Sequence, residues 1–185
     1  MISEILMGLV QRGIPLHIAQ GIVANMKAES GLNPGINEIN PIVEGSRGGY
    51  GLNQWTGPRR RQYEAFAAER GVPLDDLQAQ LDFTLWELQN TERGAWEKLQ
   101  GAESATDAAR IYSEAFLRPG IPHMENRLAY AAEIAGQPAP QQNAFAGSMA
   151  VPMGSFGVAP QQNAFRFKST QLDPAMFMNN AFARA

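Results

Sequence analysis

The sequence predicts a mainly α-helical domain followed by an extended, non-globular C-terminal tail. Apolar residues recur at helical spacing through most of residues 1–136, and glycine or proline ends several of these runs. Residues 32–49 lose this periodicity and are rich in Gly, Asn and Pro, which indicates an irregular loop or a short β-hairpin. From residue 137 onward, charged residues become rare. We therefore divide the chain into a domain at residues 1–136 and a tail at residues 137–185.

The first two helical runs precede the irregular loop. The first begins with Ser3 as its predicted N-cap and ends at Gly13. Its apolar face consists of Ile5, Leu6, Leu9 and Val10. The second begins at Pro15 and ends at Gly31 and Pro34. Its apolar residues at helical spacing are Ile18, Ile22, Val23 and Met26.

Five further helical runs follow the loop. Thr56 and Pro58 are a predicted cap and first-turn residue for a helix that ends at Gly71. The other four helices are expected at about residues 74–88, 94–99, 106–117, with Thr106 as cap, and 124–134.

Composition and charge exclude several classes of protein. Cysteine is absent, so disulfides, a thiol nucleophile and a zinc thiolate site are excluded. The net charge of −3 argues against a nucleic-acid binder that relies on phosphate contacts. We expect no signal peptide or membrane span, since no suitable apolar run occurs. His17 and His123 have no ligand-spaced partners, so neither a metal nor a cofactor is expected.

Glu29 is the candidate catalytic acid. It lies in the predicted last turn of the second helix, where free carbonyls disfavour an ionised carboxylate. A carboxyl group that stays protonated near neutral pH can donate a proton to a leaving oxygen, as glycosidic cleavage requires. The commoner outcome for a glutamate at a helix end is an exposed carboxylate without a catalytic role.

Residues 48–55 form a second candidate element, with the sequence Gly-Gly-Tyr-Gly-Leu-Asn-Gln-Trp. Its glycines allow a flat polar ligand such as a sugar to approach the backbone closely. Tyr50, Asn53 and Gln54 are therefore candidate substrate-binding residues. The alternative for Tyr50 is a core aromatic, and for Gln54 a turn residue.

These motifs resemble the phage tail lysozyme family of the lysozyme-like superfamily, which is related to lytic transglycosylases. The resemblance rests on Glu-Ser-Gly-Leu-Asn-Pro at residues 29–34 and on Gly-Tyr-Gly-Leu-Asn-Gln-Trp-Thr-Gly at residues 49–57. It continues through short matches at residues 80–83, 86–88, 118–120 and Arg127, and so covers residues 1 to about 136. It implies a small helical domain that cuts the glycan of peptidoglycan, with Glu29 as general acid and Gln54 in the cleft.

Arg60 is a further candidate substrate-binding residue. It lies with Arg59 and Arg61 at the start of a predicted helix, where cations face the positive end of the dipole. One explanation is structural, since Glu64 lies four residues on. The other is that Arg60 binds the lactyl or stem-peptide carboxylates of peptidoglycan.

A hydrolase needs a second carboxylate, about 5 Å away as a nucleophile or about 6.5 to 9.5 Å away to activate water. Glu38 and Glu44, in the loop after Glu29, are the candidates. If neither serves, the acid acts alone while the N-acetyl group of the substrate attacks the anomeric carbon. Lytic transglycosylases are thought to work in this way, and they leave a 1,6-anhydro product.

The tail contains an internal repeat. Ala-Pro-Gln-Gln-Asn-Ala-Phe occurs at residues 139–145 and again at residues 159–165. Low charge and spaced aromatic residues cannot form a core, but they suit a docking peptide; a disordered tail is the alternative. An identical repeat further suggests two equivalent pockets, such as those on neighbouring subunits of a symmetric ring.

The sequence therefore predicts a virion-associated phage lysozyme, located in the phage tail or inside the particle. It would cleave the β-1,4 bond between N-acetylmuramic acid and N-acetylglucosamine in the host periplasm as the genome is delivered. The expected partners are peptidoglycan strands and, through residues 137–185, tail or internal virion proteins in several copies. The alternative is a catalytically inactive structural or adaptor protein of the phage tail that retains the fold.

Overall fold

A computed structural model of the protein describes residues 1–41, 43 and 45–136. These residues form seven α-helices and one π-helix. The α-helices are α1 (Ile2–Gln11), α2 (Leu16–Ser30), α3 (Gly57–Arg70), α4 (Leu77–Asn90), α5 (Arg93–Gln100), α6 (Ala105–Ile111) and α7 (Met124–Ala135), and the π-helix spans Tyr112–Leu117. The predicted mainly helical fold is confirmed. The predicted tail at residues 137–185 lies outside the described residues, as do Ile42 and Glu44.

Helix α2 lies at the centre of the hydrophobic core and packs against α1, α6 and α7. Its apolar residues without exposed surface are Ala19, Ile22, Val23, Ala24 and Met26. Gly21 allows α6 to approach closely, because a Cβ atom there would lie 2.6 Å from both the Ala108 Cβ and the Ala109 backbone nitrogen. Close packing on three sides fixes the position of α2 and therefore of its C-terminal end.

Aromatic residues form a second part of the core, between α3 and α4. The Trp55 ring stacks on Tyr63 at a centroid distance of 4.8 Å and meets the edge of Phe83 at 5.3 Å. All three side chains are almost fully buried. This cluster anchors the end of the loop that precedes α3.

Two helices, α4 and α6, begin at positions that differ from the predicted ones. Helix α4 begins later than predicted, because the Asp76 carboxylate accepts a hydrogen bond from a backbone N–H of the first turn. Helix α6 is capped by Ser104, whose Oγ accepts from the Asp107 backbone N at 3.1 Å. The predicted Thr106 cap is therefore wrong. The predicted helix at residues 106–117 is divided into α6 and the π-helix.

The cap predicted for α1 is wrong, and the cap predicted for α3 is right in position only. Ser3 lies inside α1, whose N-cap position is Met1, so that prediction is wrong. Thr56 occupies the N-cap position of α3 as predicted, but its side chain makes no capping hydrogen bond.

The segment between α2 and α3 is an irregular loop. Among its described residues the antiparallel pairings are isolated bridges, Asn37 with Tyr50 and Tyr50 with Trp55, and no strand forms. Of the two predicted possibilities, the irregular loop is therefore right and the β-hairpin is not. Within the described residues, no helix has the length and hydropathy that crossing a membrane requires.

Candidate active site

Glu29 lies in the last turn of α2, as predicted. The helix ends because Gly31 adopts a left-handed conformation with φ of 60°, and its N–H donates to the Lys27 carbonyl. The Glu29 side chain is 16% exposed. The carboxyl group is thus largely buried at the C-terminal end of α2.

Arg127 of α7 holds one oxygen of the Glu29 carboxylate. Its Nη2 donates to Glu29 Oε1 at 2.7 Å, and its side chain is only 5% exposed. Glu29 Oε2 accepts no hydrogen bond from the described part of the chain. Arg127 therefore fixes the carboxylate through one of its two oxygens.

Tyr112, the first residue of the π-helix, lies near both Glu29 and the loop before α3. Its hydroxyl donates to Asn53 Oδ1 at 2.9 Å. Complete burial raises the pKa of Tyr112 well above its ordinary value; the Arg59 charge opposes this shift, and the Glu87 and Glu29 carboxylates add to it. Tyr112 is therefore a neutral donor at physiological pH.

Asn53 is buried, and both ends of its side-chain amide are bonded within the protein. Nδ2 donates to Thr84 Oγ1 at 2.8 Å, and Oδ1 accepts from Tyr112. Only 4% of the residue is exposed. Asn53 therefore joins the loop to α4 and to the π-helix, and its predicted contact with substrate stays a prediction.

Tyr50 and Gln54 remain candidates for substrate contact. Tyr50 is half-buried, and burial raises the pKa of its hydroxyl above the ordinary value. Gln54 adopts a left-handed backbone conformation with φ of 49°, and its Nε2 donates to the Gly51 carbonyl at 2.9 Å. Gln54 Oε1 accepts no hydrogen bond from the described residues. A Cβ atom at Gly49 would lie 2.7 Å from that oxygen, so the glycine leaves room for it.

Arg60 has a structural role. It is 8% exposed, and it donates to Glu64 Oε1 at 3.1 Å and to the backbone carbonyls of Arg47 and Gly48 at 2.6 and 3.0 Å. Burial raises the pKa of Glu64, but hydrogen bonds from Arg47 and Arg60 outweigh this effect and lower it overall. The alternative of pairing with Glu64 is confirmed, whereas the binding of peptidoglycan carboxylates by Arg60 stays a prediction.

The second carboxylate remains a prediction. Glu38 Oε2 accepts from the Gly49 backbone N at 2.9 Å, so this side chain braces the loop. Glu44 lies outside the described residues.

Among the described residues, no group of three or more His, Asp or Glu side chains is placed to hold a metal ion. A surface cavity of about 420 Å³ is lined by none of the candidate residues; it is bounded by Lys98, Arg110, Ile111, Glu114 and Ala115.

Comparison with known sequences decides the family. A sequence model described as phage tail lysozyme matches residues 2–137. The chain belongs to the phage tail lysozyme family. It is also 32% identical over 129 residues to morphogenesis protein 1 of Bacillus phage B103. That alignment covers 64% of this chain and 34% of the relative, so the chain matches about a third of the relative's length.

In this phage tail lysozyme domain, two residues, Asn25 and Arg127, support Glu29 although the sequence did not predict that role for them. Asn25 lies one helical turn before Glu29, and its Oδ1 accepts from Arg127 Nη1 at 2.9 Å. The i, i+4 spacing from Glu29 was a usable signal for Asn25. Arg127 was noticed only as part of a motif, since it lies 98 residues from Glu29 and only folding brings them together.

Gln80 of α4 is a third supporting residue. Its Oε1 accepts from the Leu52 backbone N at 2.8 Å, and its Nε2 donates to the carbonyls of Pro34 and Leu74 at 2.7 and 2.9 Å. Gly51 packs directly on this amide, because a Cβ atom there would lie 2.6 Å from Gln80 Oε1. One buried side chain thus connects the start and the end of the loop between α2 and α3.

Proposed function

We propose that this chain is a peptidoglycan glycosidase that cleaves the β-1,4 bond between N-acetylmuramic acid and N-acetylglucosamine. Glu29 is the general acid. The observation that carries the proposal is its asymmetric environment: Oε1 is bound by Arg127, while Oε2 has no partner among the described residues. Membership of the phage tail lysozyme family supports the same substrate class.

Proton donation requires Glu29 to be protonated when the substrate is bound. Arg127 binds Oε1 at 2.7 Å, so Oε2 is the oxygen that carries the proton in this proposal. Substrate that displaces water from the carboxyl group adds a desolvation effect, which favours the protonated acid. Oε2 then donates the proton to the leaving glycosidic oxygen.

Two residues of the loop orient the sugar in this proposal. Gln54 Oε1, which has no partner among the described residues, is an acceptor for the N–H of an acetamido group. Tyr50 offers a ring face and a hydroxyl. The Arg60 guanidinium, which braces the loop, lies 5.2 Å from the centroid of the Tyr50 ring. If Glu38 or Glu44 supplies the second carboxylate, the reaction is hydrolysis; otherwise the substrate's acetamido group completes a lytic transglycosylase reaction.

A zymogram with purified peptidoglycan tests the role of Glu29. We expect the parent chain to clear the gel and Glu29→Gln to lose clearing, because a carboxamide is too weak an acid to protonate the leaving oxygen. Glu133→Gln is the matched control, since this carboxylate is largely exposed and pairs with Lys27 on the surface of α7. Unchanged clearing by Glu29→Gln would remove Glu29 from the mechanism.

The alternative function is that of an inactive structural or adaptor protein that keeps the fold. Two observations favour it: one oxygen of Glu29 is already bound by Arg127 at 2.7 Å, and the relative from phage B103 is named a morphogenesis protein. Absence of clearing by a correctly folded parent chain would support this alternative.

We further propose that the chain is a virion component, in the phage tail or inside the particle, that acts on the host wall in the periplasm as the genome is delivered. Residues 137–185 attach it to tail or internal proteins. The repeated Ala-Pro-Gln-Gln-Asn-Ala-Phe motif supports two equivalent docking pockets, which a symmetric ring carrying several copies of this chain would provide.

A further inference from the structure

Asn25 has an orientation that its surroundings determine completely. It is fully buried in α2, and its Nδ2 donates to the backbone carbonyls of Gly21 and Ala109, both at 2.9 Å. Both amide hydrogens are therefore used. A flipped amide would turn an NH₂ group towards the Arg127 guanidinium, so Oδ1 must face Arg127.

Arg127 is held by partners on three sides. Its Nε donates to the Pro122 carbonyl, its Nη1 to Asn25 Oδ1 and its Nη2 to Glu29 Oε1. A guanidinium is a planar, rigid fork, so two fixed contacts determine where the third N–H points. Asn25 and Pro122 thus determine the position of the N–H that reaches Glu29.

We propose that Asn25 is a positioning residue that acts on Glu29 through Arg127. It fixes the guanidinium while adding no charge, so that the positive charge of Arg127 is shared with Glu29 alone. An aspartate in the same place would compete for that charge. The kinetic consequence of this inference rests on the proposed function, but the electrostatic consequence does not.

The other polar groups near Glu29 do not replace Arg127. Lys27, two residues earlier, is bound to Glu133 Oε2 at 2.9 Å and lies over the Tyr130 ring. Tyr112 of the π-helix is fully buried and neutral. Arg127 is therefore the cation that acts on the Glu29 carboxylate among the described residues.

Carbon-detected NMR titration of the Glu29 carboxyl group in the full chain tests the inference, with Glu29→Gln identifying the resonance. In Asn25→Asp we expect the titration midpoint to move to higher pH by about one unit, because a nearby negative charge disfavours ionisation. Asn25→Ala should move it in the same direction by less, since Arg127 loses one anchor. Ser113→Ala is the control: Ser113 is buried in the π-helix, and its hydroxyl has no partner within the described residues.

The activity profile gives a second readout that a purely structural role would not move. If the parent is lytic, the alkaline limb of its pH–kcat/KM profile should shift upward in Asn25→Asp by the same amount as the NMR midpoint. A midpoint that stays at the parent value in both Asn25 variants would overturn the inference. A shifted midpoint in a chain without lytic activity would support the inference and contradict the proposed function.

Discussion

Arg59 and Glu87 form a bidentate ion pair in the interior of the domain. Arg59 Nε lies 2.7 Å from Glu87 Oε1, Nη2 lies 3.0 Å from Oε2, and the glutamate side chain is 1% exposed. Trp55 Nε1 also donates to Oε2 at 2.6 Å, and Arg59 Nη1 donates to the Phe116 carbonyl at 3.1 Å. One pair thus joins α3, α4, the loop and the π-helix.

Arg59→Met is expected to lower the free energy of unfolding at pH 7 by about 3 kcal/mol, because it leaves a buried carboxylate without its counter-ion. Burial raises the pKa of Glu87, although Arg59 and Trp55 oppose the shift. The loss should therefore shrink at acid pH, where Glu87 is neutral. Urea unfolding at both pH values measures it.

Arg61→Met is the matched control for that variant, since Arg61 is an exposed residue of the same helix. We expect it to change stability by less than about 0.5 kcal/mol. If Arg59→Met and Arg61→Met lowered the free energy of unfolding equally, the Arg59–Glu87 pair would stabilise the domain no more than an exposed arginine does.

A second prediction concerns acid stability. Arg118 donates to both oxygens of Glu92 at 2.8 Å, and these hydrogen bonds lower the pKa of Glu92 below its ordinary value of 4.5. A lowered pKa in the folded state contributes stability above the ordinary value, and this contribution disappears as the pH falls through the lowered value. Arg118→Gln should therefore be less stable than the parent at pH 7, by about 1 kcal/mol or less. Thermal unfolding at a series of acid pH values should show the stability difference between the parent and Arg118→Gln vanish. A difference that persists at the lowest pH would contradict the contribution assigned to the Arg118–Glu92 pair.

Gly21→Ala tests the close contact between α2 and α6. The added methyl group would lie 2.6 Å from the Ala108 Cβ and from the Ala109 backbone. Overpacking of this kind is expected to destabilise the domain by about 1 to 3 kcal/mol. Gly94→Ala is the control, because a Cβ atom at that helical position meets nothing within 4 Å and should stabilise by about 0.5 to 1 kcal/mol. If the denaturation midpoint falls in Gly21→Ala and rises in Gly94→Ala, relative to the parent, the packing argument is supported. Equal shifts in the two variants would contradict it.

Deletion of residues 137–185 tests the division of the chain. We expect lytic activity in solution to survive, because every described contact of Glu29 lies within residues 1–136. Incorporation into phage particles should be lost, as measured by immunoblotting of purified particles. If deletion abolished both, residues 137–185 would have to belong to the fold.

Local features allowed much of this structure to be predicted. Helical periodicity and the Gly31 stop located α2 and placed Glu29 in its last turn, because both depend on neighbouring residues. The Thr106 cap was wrong because Ser104 lies in the same turn and takes the cap position. The Ser3 cap was wrong because α1 already begins at Ile2.

The parts that the sequence did not reveal depend on distant contacts. Asn53 has a structural role because Tyr112, which donates to its side chain, lies 59 residues away in the sequence. Arg60 was assigned either to Glu64 or to a ligand carboxylate, and its bonds to carbonyls of a loop with no regular structure were not foreseen. Neither the Arg127 contact with Glu29 nor the Arg59–Glu87 pair has a local signature.

Mass spectrometry of the fragments released from purified peptidoglycan tests the central claim most directly. The parent chain should release disaccharide muropeptides that end in N-acetylmuramic acid, in either the reducing or the 1,6-anhydro form, which differ by one water. Glu29→Gln should release none, while Glu133→Gln should match the parent. Identical fragments from the parent and Glu29→Gln, or fragments cut only at peptide bonds, would contradict the account.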